Sequence, residues 1–377
     1  MLKLIITGDF CPVNRIERIT EDKRYELIFN DFASVLEQGD FNITNLECPL
    51  YNGNELMPKI GTNLKVNESF VDILKEGKFH LVTLANNHIM DFGVNGLQST
   101  MTICRKERIE FVGVGLDLHE ARRIFYKTIN GIRIAILNFA ENEFSTTHGN
   151  YPGANPLNPI ANFYDIQEAR ENADFVFVII HGGHEHYQLP SPRMQETYRF
   201  FVDAGADAVI GHHAHCYSGY EIYKSKPIFY GLGNFVFDSF GGIRNGTWTE
   251  GFAVCFSMND GAVSFTLHPY TQGKEENPGV HLMKDSDLDL FYKNIDSLNR
   301  IICDPEMLKN EYQKFVQSKK SYLSSIEPYS NRYLMALHRR GLLPSLLSKK
   351  KKRLLLNLIR CEAHRDVLVG LLNEVTK

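Results

Sequence analysis

The chain has 377 residues, with 41 Lys and Arg against 45 Asp and Glu and a formal net charge of −4. That balance offers no general basic surface, and no nucleic-acid partner is expected. Its seven cysteines are scattered, odd in number and without a C-x-x-C pair, which argues against a disulfide framework and fits a reducing compartment.

The N-terminus, MLKLIITGDF, enters a strand at once, over residues 2–7, with no apolar signal-peptide core before it. The expected compartment is therefore the cytoplasm. Further short apolar runs predict strands at 41–45, 79–84, 109–114, 174–180 and 207–210. Helical patterns fall between several of them, at 69–77, 95–107, 165–172 and 193–204. Such alternation marks a layered α/β fold. Two segments read instead as antiparallel hairpins: 123–140, turning at Asn130-Gly131, and 251–268, turning at Asp260-Gly261. A mixed sheet, or two packed sheets flanked by helices, fits this pattern better than a pure doubly wound fold. Composition changes near 272–285, around TQGKEENPG. Residues 284–377 are rich in Leu, Lys, Arg and Glu and read as helices. The expected division is a main domain over 1–275 and a helical C-terminal region over 284–377.

Polar clusters recur where the predicted strands end. Gly8-Asp9 follows the first strand, and Glu47 lies just past the second. Asn86, Asn87, His88 and Asp91 follow the strand at 79–84. His181, His184, Glu185 and His186 follow 174–180, and His212, His213, His215 and Cys216 follow 207–210. Each cluster alone has an ordinary explanation. Asp9 fits a turn or helix cap, Glu47 an exposed loop carboxylate, and Asn87-His88 a left-handed turn. Together they are harder to explain by packing, because active sites of layered α/β folds form at the carboxyl ends of strands. Carboxylate, amide oxygen and imidazole suit Mn, Fe or Zn. Six such groups exceed the needs of one tetrahedral zinc and would serve two metals sharing a bridging carboxylate.

The ordered motifs GDF, NLECPL, LANNHIMDFG, HGGHEHYQLPSPRMQ, DAGADAVIGHHAH and KPIFYGLGNFVFD resemble the CapA family of capsule and poly-γ-glutamate synthesis, within the calcineurin-like metallophosphoesterase superfamily. The resemblance covers roughly residues 1–270. It implies a four-layer α/β/β/α sandwich with a dinuclear metal centre, in which a metal-activated water attacks a phosphate ester. By motif, Asp9, Glu47, Asn87, His181, His213 and His215 look like the metal ligands. His88 looks like the catalytic histidine, with Asp91 orienting it. Asn45, Glu185 and Asn234 are the expected substrate contacts, His212 a flanking residue and Cys216 a core residue. Three departures stand out. Cys11 replaces the histidine of the superfamily's D-x-H, Glu47 replaces the bridging aspartate, and His181-Gly182-Gly183-His184-Glu185 lacks a tryptophan. The resemblance implies a phosphorylated or polyanionic substrate. The alternative is a non-hydrolytic assembly or ligation factor for an anionic polymer such as poly-γ-glutamate; a polymer-binding module that merely kept the fold is a third reading.

The segment SKKKKRLLLNLIR sets five basic residues, Lys349 to Arg353, before an apolar helical stretch. It reads either as a solvated helix start or as a surface that meets anionic lipid at the inner face of the membrane. Its apolar residues Leu354, Leu355, Leu358 and Ile359, with Leu368, Leu371 and Leu372, fit packing against the main domain equally well.

Overall fold

A computed structural model describes residues 1–377 except 60, 240, 241, 243, 260, 320, 321, 330, 361–363, 365–371 and 373–377. Two sheets face each other. In the first, the order is His281–Leu282, Ala262–Thr271, Glu250–Asn259, Leu2–Phe10, Phe41–Leu46, Leu81–Thr83 and Glu110–Val112, with Asn234–Val236 pairing the end of Leu2–Phe10. In the second it is Tyr220–Tyr223, Lys226–Phe229, Ala208–His212, Phe175–His181, Ile132–Ala140 and Phe125–Ile129. Helices cover both outer faces, so the architecture is the four-layer α/β/β/α sandwich expected from the sequence.

The layering follows from the two-residue period of a strand. Leu4 and Ile6 turn inward to meet Ile134, Phe177, Ile179 and Ile210 of the opposite sheet, whereas Ile5 turns outward to the helix residues Ile16, Ile73 and Leu97. On the second sheet Phe177 and Ile179 face inward, while Val178 and Ile180 pack outward on Ile166, Tyr198 and Phe201. Burial on both faces is why the strands read as continuous apolar runs.

The predicted elements are present with shifted ends. The helix expected at 165–172 begins at Pro159, because Pro suits the first helical position and the Asn158 side chain accepts hydrogen bonds from the Ile160 and Ala161 amides. Asn130 and Gly131 both have positive φ, 52° and 81°, as a two-residue hairpin turn requires. In the second hairpin the strands Glu250–Asn259 and Ala262–Thr271 pair antiparallel; Asp260 of the expected turn lies outside the described residues.

The chain divides into two compact units, Met1–Lys309 and Asn310–Lys377. The division falls later than the change in composition near 272–285. The helix Asp285–Cys303 belongs to the first unit because Phe291 and Ile295 are buried there, Phe291 against Tyr217 and Phe252. The second unit contains the helices Pro305–Ser318 (in its greater part), Arg332–Arg339 and Lys349–Arg360. In it Leu354, Ile359 and Leu372 are exposed; Leu368 and Leu371 lie outside the described residues. Among the described residues, no helix is long and apolar enough to cross a membrane.

Gly8 is where the fold meets the site. A Cβ there would lie 1.9 Å from the Gly233 carbonyl oxygen and 2.8 Å from Tyr270 Oη. Gly8→Ala must therefore push Leu2–Phe10 away from the strand that begins at Asn234, and is expected to abolish cooperative folding or metal uptake. Gly131→Ala meets open space and bears only the left-handed backbone penalty, about 1–2 kcal/mol. Chemical denaturation of the two variants checks the contrast.

Candidate metal centre

Strand register brings the polar ends together. Asp9 stands opposite Asn45 on one neighbouring strand and Asn234 on the other. On the second sheet His212 stands opposite His181. After Ala208–His212 the backbone turns left-handed at His213 (φ 91°) and His215 (φ 53°). Such geometry is uncommon for residues other than glycine and clusters at functional sites.

Two triads of donor groups result, Glu47–His181–His213 and Asp9–Glu47–His215, each with ligand atoms within 4.8 Å of one another. Glu47 is common to both. Its carboxylate is fully buried, and neither oxygen has a hydrogen-bond partner among the described residues. Oε1 lies 3.4 Å from His181 Nε2 and 3.7 Å from His215 Nε2. Burial, followed by the nearby Asp9 charge, raises the Glu47 pKa well above the usual carboxylate range. Burial also holds His215 down to about 4 and His181 well below the usual imidazole value. Neutral imidazoles are the form that binds metal.

The hydrogen-bond network assigns the proton on His215. Asn234 Nδ2 donates to the carbonyls of His215 (3.3 Å) and Trp248 (3.2 Å), leaving Oδ1 to face His215 Nδ1 at 2.9 Å. Nδ1 must then carry the hydrogen. The Nε2 lone pair faces the Glu47 carboxylate, so a proton or a cation must lie between these two acceptors. His181 Nε2 is similarly crowded by Asn87 Oδ1 at 3.0 Å, His213 Nδ1 at 3.1 Å and Glu47. It has one hydrogen at most to share. Cations between these groups satisfy both conflicts, so the residues present fit metal.

Asp9 is held from several sides. Oδ1 accepts from Asn45 Nδ2 at 2.8 Å and lies 2.9 Å from His212 Nδ1, while Oδ2 accepts from the His213 amide at 3.1 Å. Burial raises its pKa, but His212 and the neighbouring histidines outweigh burial and leave Asp9 below its ordinary value.

All six expected ligands are thus gathered, although Asn87 enters only through His181. Three other expectations need revision. Asn45 and Asn234 were expected to touch substrate; both are buried behind the cluster, where Asn45 contacts Asp9 and His181 (3.1 Å) and Asn234 orients His215. His212 is not a mere flanking residue, because it bonds Asp9. His212 ends the strand, and the two expected ligands His213 and His215 lie in the left-handed turn that follows. Glu185 is exposed, yet its charge is felt at Glu47. Cys216 is buried with its thiol pushed up to about 12 by burial, as suits a core residue. Cys11 is also buried, where burial raises its thiol well above the usual range, and among the described residues it joins neither triad.

His88 follows Asn87 in the turn after Leu81–Thr83, with Nδ1 2.7 Å from Asp91 Oδ2. Sequence reasoning missed Lys59, whose amine lies 3.2 Å from His88 Nδ1 and pairs with Asp91 Oδ1. No periodicity marks the loop that carries it.

A four-layer sandwich with carboxylates and histidines gathered at its strand ends is, as a class, a protein whose buried donor groups could hold metal. A family model described as the bacterial capsule synthesis protein PGA_cap matches residues 3–239, and the chain belongs to that family. The PGA biosynthesis protein CapA of Bacillus subtilis (strain 168) is 35% identical over 242 residues, 63% of this chain and 64% of that protein. The capsule biosynthesis protein CapA of Bacillus anthracis is 32% identical over 248 residues, 63% of this chain and 60% of that protein. Each match thus spans less than two thirds of the relative's length. A crystal structure described as a novel phosphatase from Mycoplasma pneumoniae superposes with a TM-score of 0.47 at 16% identity, covering 73% of this chain and 95% of that one.

The raised Glu47 pKa has a consequence for pH. Metal must displace the proton that Glu47 holds in the metal-free protein, so affinity rises with pH, about tenfold per unit while that proton remains. The same shift means that the metal-free fold loses stability as pH rises through the raised pKa. Glu47→Gln is expected to remove this slope and most of the affinity while leaving the metal-free protein at least as stable. Calorimetric Mn²⁺ titrations across pH and melting curves check both.

Proposed function

We propose that this protein is a metal-dependent phosphoesterase acting in the synthesis of a capsule or another anionic cell-surface polymer. The carrying observation is the Glu47 carboxylate shared by two triads and left without a hydrogen-bond partner among the described residues. Asp9, Glu47, Asn87, His181, His213 and His215 would hold two divalent ions of the Mn, Fe or Zn kind. Bound there, the ions supply Lewis-acid polarisation of a phosphoryl group and activation of water. The chain's own part in the chemistry is proton movement. With Nδ1–H turned to Asp91, His88 offers Nε2 to an ester oxygen and, in its imidazolium form, is suited to protonate it as it leaves. Exposed Glu185, at the rim, would meet the substrate.

A second reading is a metal-dependent assembly or ligation factor for a polymer such as poly-γ-glutamate. It is favoured by the names of the relatives, which include a probable polyglutamine synthesis accessory protein of Mycobacterium tuberculosis (strain CDC 1551 / Oshkosh). Product analysis separates the readings, since a hydrolase liberates phosphate and a ligation factor extends the polymer.

The proposal also gives the second unit a place to act. Residues 310–377 contain fourteen Lys and Arg against five Asp and Glu, while the whole chain is at −4. In the helix Lys349–Arg360, exposed Lys349 to Lys351 and Arg353 adjoin exposed Leu354, Leu356 and Ile359. This combination supports contact with the anionic inner face of a membrane, the protein itself residing in the cytoplasm.

Two outcomes are expected. Mn²⁺-loaded protein should release product from an aryl phosphate mono- or diester, and His88→Ala should slow this about 10²–10⁴-fold with metal content retained. Wild-type release no greater than that of metal-poor His213→Ala would sink the hydrolytic reading. Separately, the full-length chain should pellet with phosphatidylserine liposomes at low salt, less so at high salt or after Lys349–Lys352 are changed to Gln. Pelleting indifferent to both would count against a charge-driven surface.

A further inference from the structure

We infer that Lys59 is a positioning residue for His88, acting through Asp91, and that the loop between Phe41–Leu46 and the helix Val71–Glu76 is thereby part of the reaction machinery. The inference rests on the reading of His88 as the group that moves a proton.

In this loop Leu56 is 63% exposed. The Lys59 side chain turns inward and is only 2% exposed, and its partner Asp91 is 0% exposed. Withdrawing an ammonium from water is costly unless a carboxylate meets it, so this contact helps to fix the loop's path. The same loop grips Asp91 at three more points. The Leu64 amide donates to Oδ2 at 2.6 Å, and the Met57 amide and Asn63 Nδ2 donate to the Asp91 carbonyl at 2.9 and 2.8 Å. The Lys59 amine also lies 5.6 Å from the centre of the Phe144 ring.

The protons can be assigned from these contacts. Lysine only donates. Were His88 Nδ1 a bare acceptor for Lys59, it would face Asp91 Oδ2 at 2.7 Å with no hydrogen between two acceptors. Nδ1–H therefore donates to Oδ2, while Lys59 occupies Oδ1. Each carboxylate oxygen thus has its own cation or donor, and Asp91 cannot rotate away from the ring. The outcome is a fixed His88 tautomer, with the Nε2 lone pair directed out of the Lys59–Asp91 cluster. Without Lys59, Oδ1 would be a buried oxygen seeking another donor, and only the contacts of Oδ2 with His88 and the Leu64 amide would hold the carboxylate.

The test uses the full-length protein loaded with Zn²⁺ for spectroscopy and Mn²⁺ for kinetics. Lys59→Met keeps length and removes charge; Lys59→Arg is the conservative variant. The expected result for Lys59→Met is unchanged metal content, unchanged KM, kcat on an aryl phosphate lowered about 10–100-fold, and loss of the Nδ1–H signature of His88 in ¹⁵N histidine spectra. Lys59→Arg should restore much of both readouts. If Lys59→Met melts too low to assay, Lys59→Gln, which removes the charge but keeps a neutral donor, is expected to move both readouts in the same direction to a smaller extent. A wild-type His88 tautomer in the variant overturns the inference, as does a kcat loss that merely follows lost metal. If wild-type protein hydrolyses no ester, the proposed activity fails, and the histidine spectra alone decide the role of Lys59.

Discussion

The Glu47 carboxylate is the constraint on which the centre depends. It is buried at the meeting point of the two sheets with histidine nitrogens at 3.4 and 3.7 Å and no hydrogen bond from any described residue. An isolated carboxylate in such a place must hold a proton or a cation, because the desolvation cost of its charge is too large to carry unrelieved. Asp9, nearby, takes the opposite course: two donors and a histidine on its oxygens keep it ionised. Two carboxylates in one cluster are thus driven apart in pKa by their partners, one ready to hold charge and the other kept from it until a cation arrives.

The scaffold explains how so many polar groups are tolerated at one sheet edge. Asn45, Asn234 and His212 each fill one side of a ligand and leave the other side free. Orienting partners of this kind set the tautomer and direction of metal-binding groups. The two asparagines sit beside Asp9 or its neighbours because Leu2–Phe10 pairs in parallel with Phe41–Leu46 and Asn234–Val236, whereas His212 reaches Asp9 from the end of a strand of the opposite sheet. The left-handed turn at His213 and His215 then lets adjacent positions in the chain serve different partners.

Much of this was legible in the sequence. Apolar runs of strand length revealed a layered fold, and the polar residues after them marked the edge where chemistry would gather. Motif resemblance named the six candidate ligands. What was not legible depends on contacts across long sequence separations. Asn45 and Asn234 look like loop-facing amides beside their motifs, and only the strand register turns them toward Asp9 and His215. His212 looks redundant beside His213 until its ring is seen against Asp9, 203 positions away. Lys59 sits in a stretch with no period at all, so nothing local singles it out among 41 basic residues. The first unit extends past the change in composition for a related reason. Composition changes near residue 275, but membership of a core is decided by where Phe291 and Ile295 bury their side chains.

By itself, the sequence determined the chemical types available and their order along the chain: short strands, each followed by a carboxylate, an amide or an imidazole, in the pattern of the capsule synthesis family. These properties are local, set by side-chain period and by the residues that follow it. Tertiary structure alone decided that Glu47 belongs to both triads, that two asparagines stand behind the ligands, and that a surface loop sends a buried lysine to Asp91. Those outcomes depend on register and on burial from several sides at once, and neither exists until distant segments have packed together.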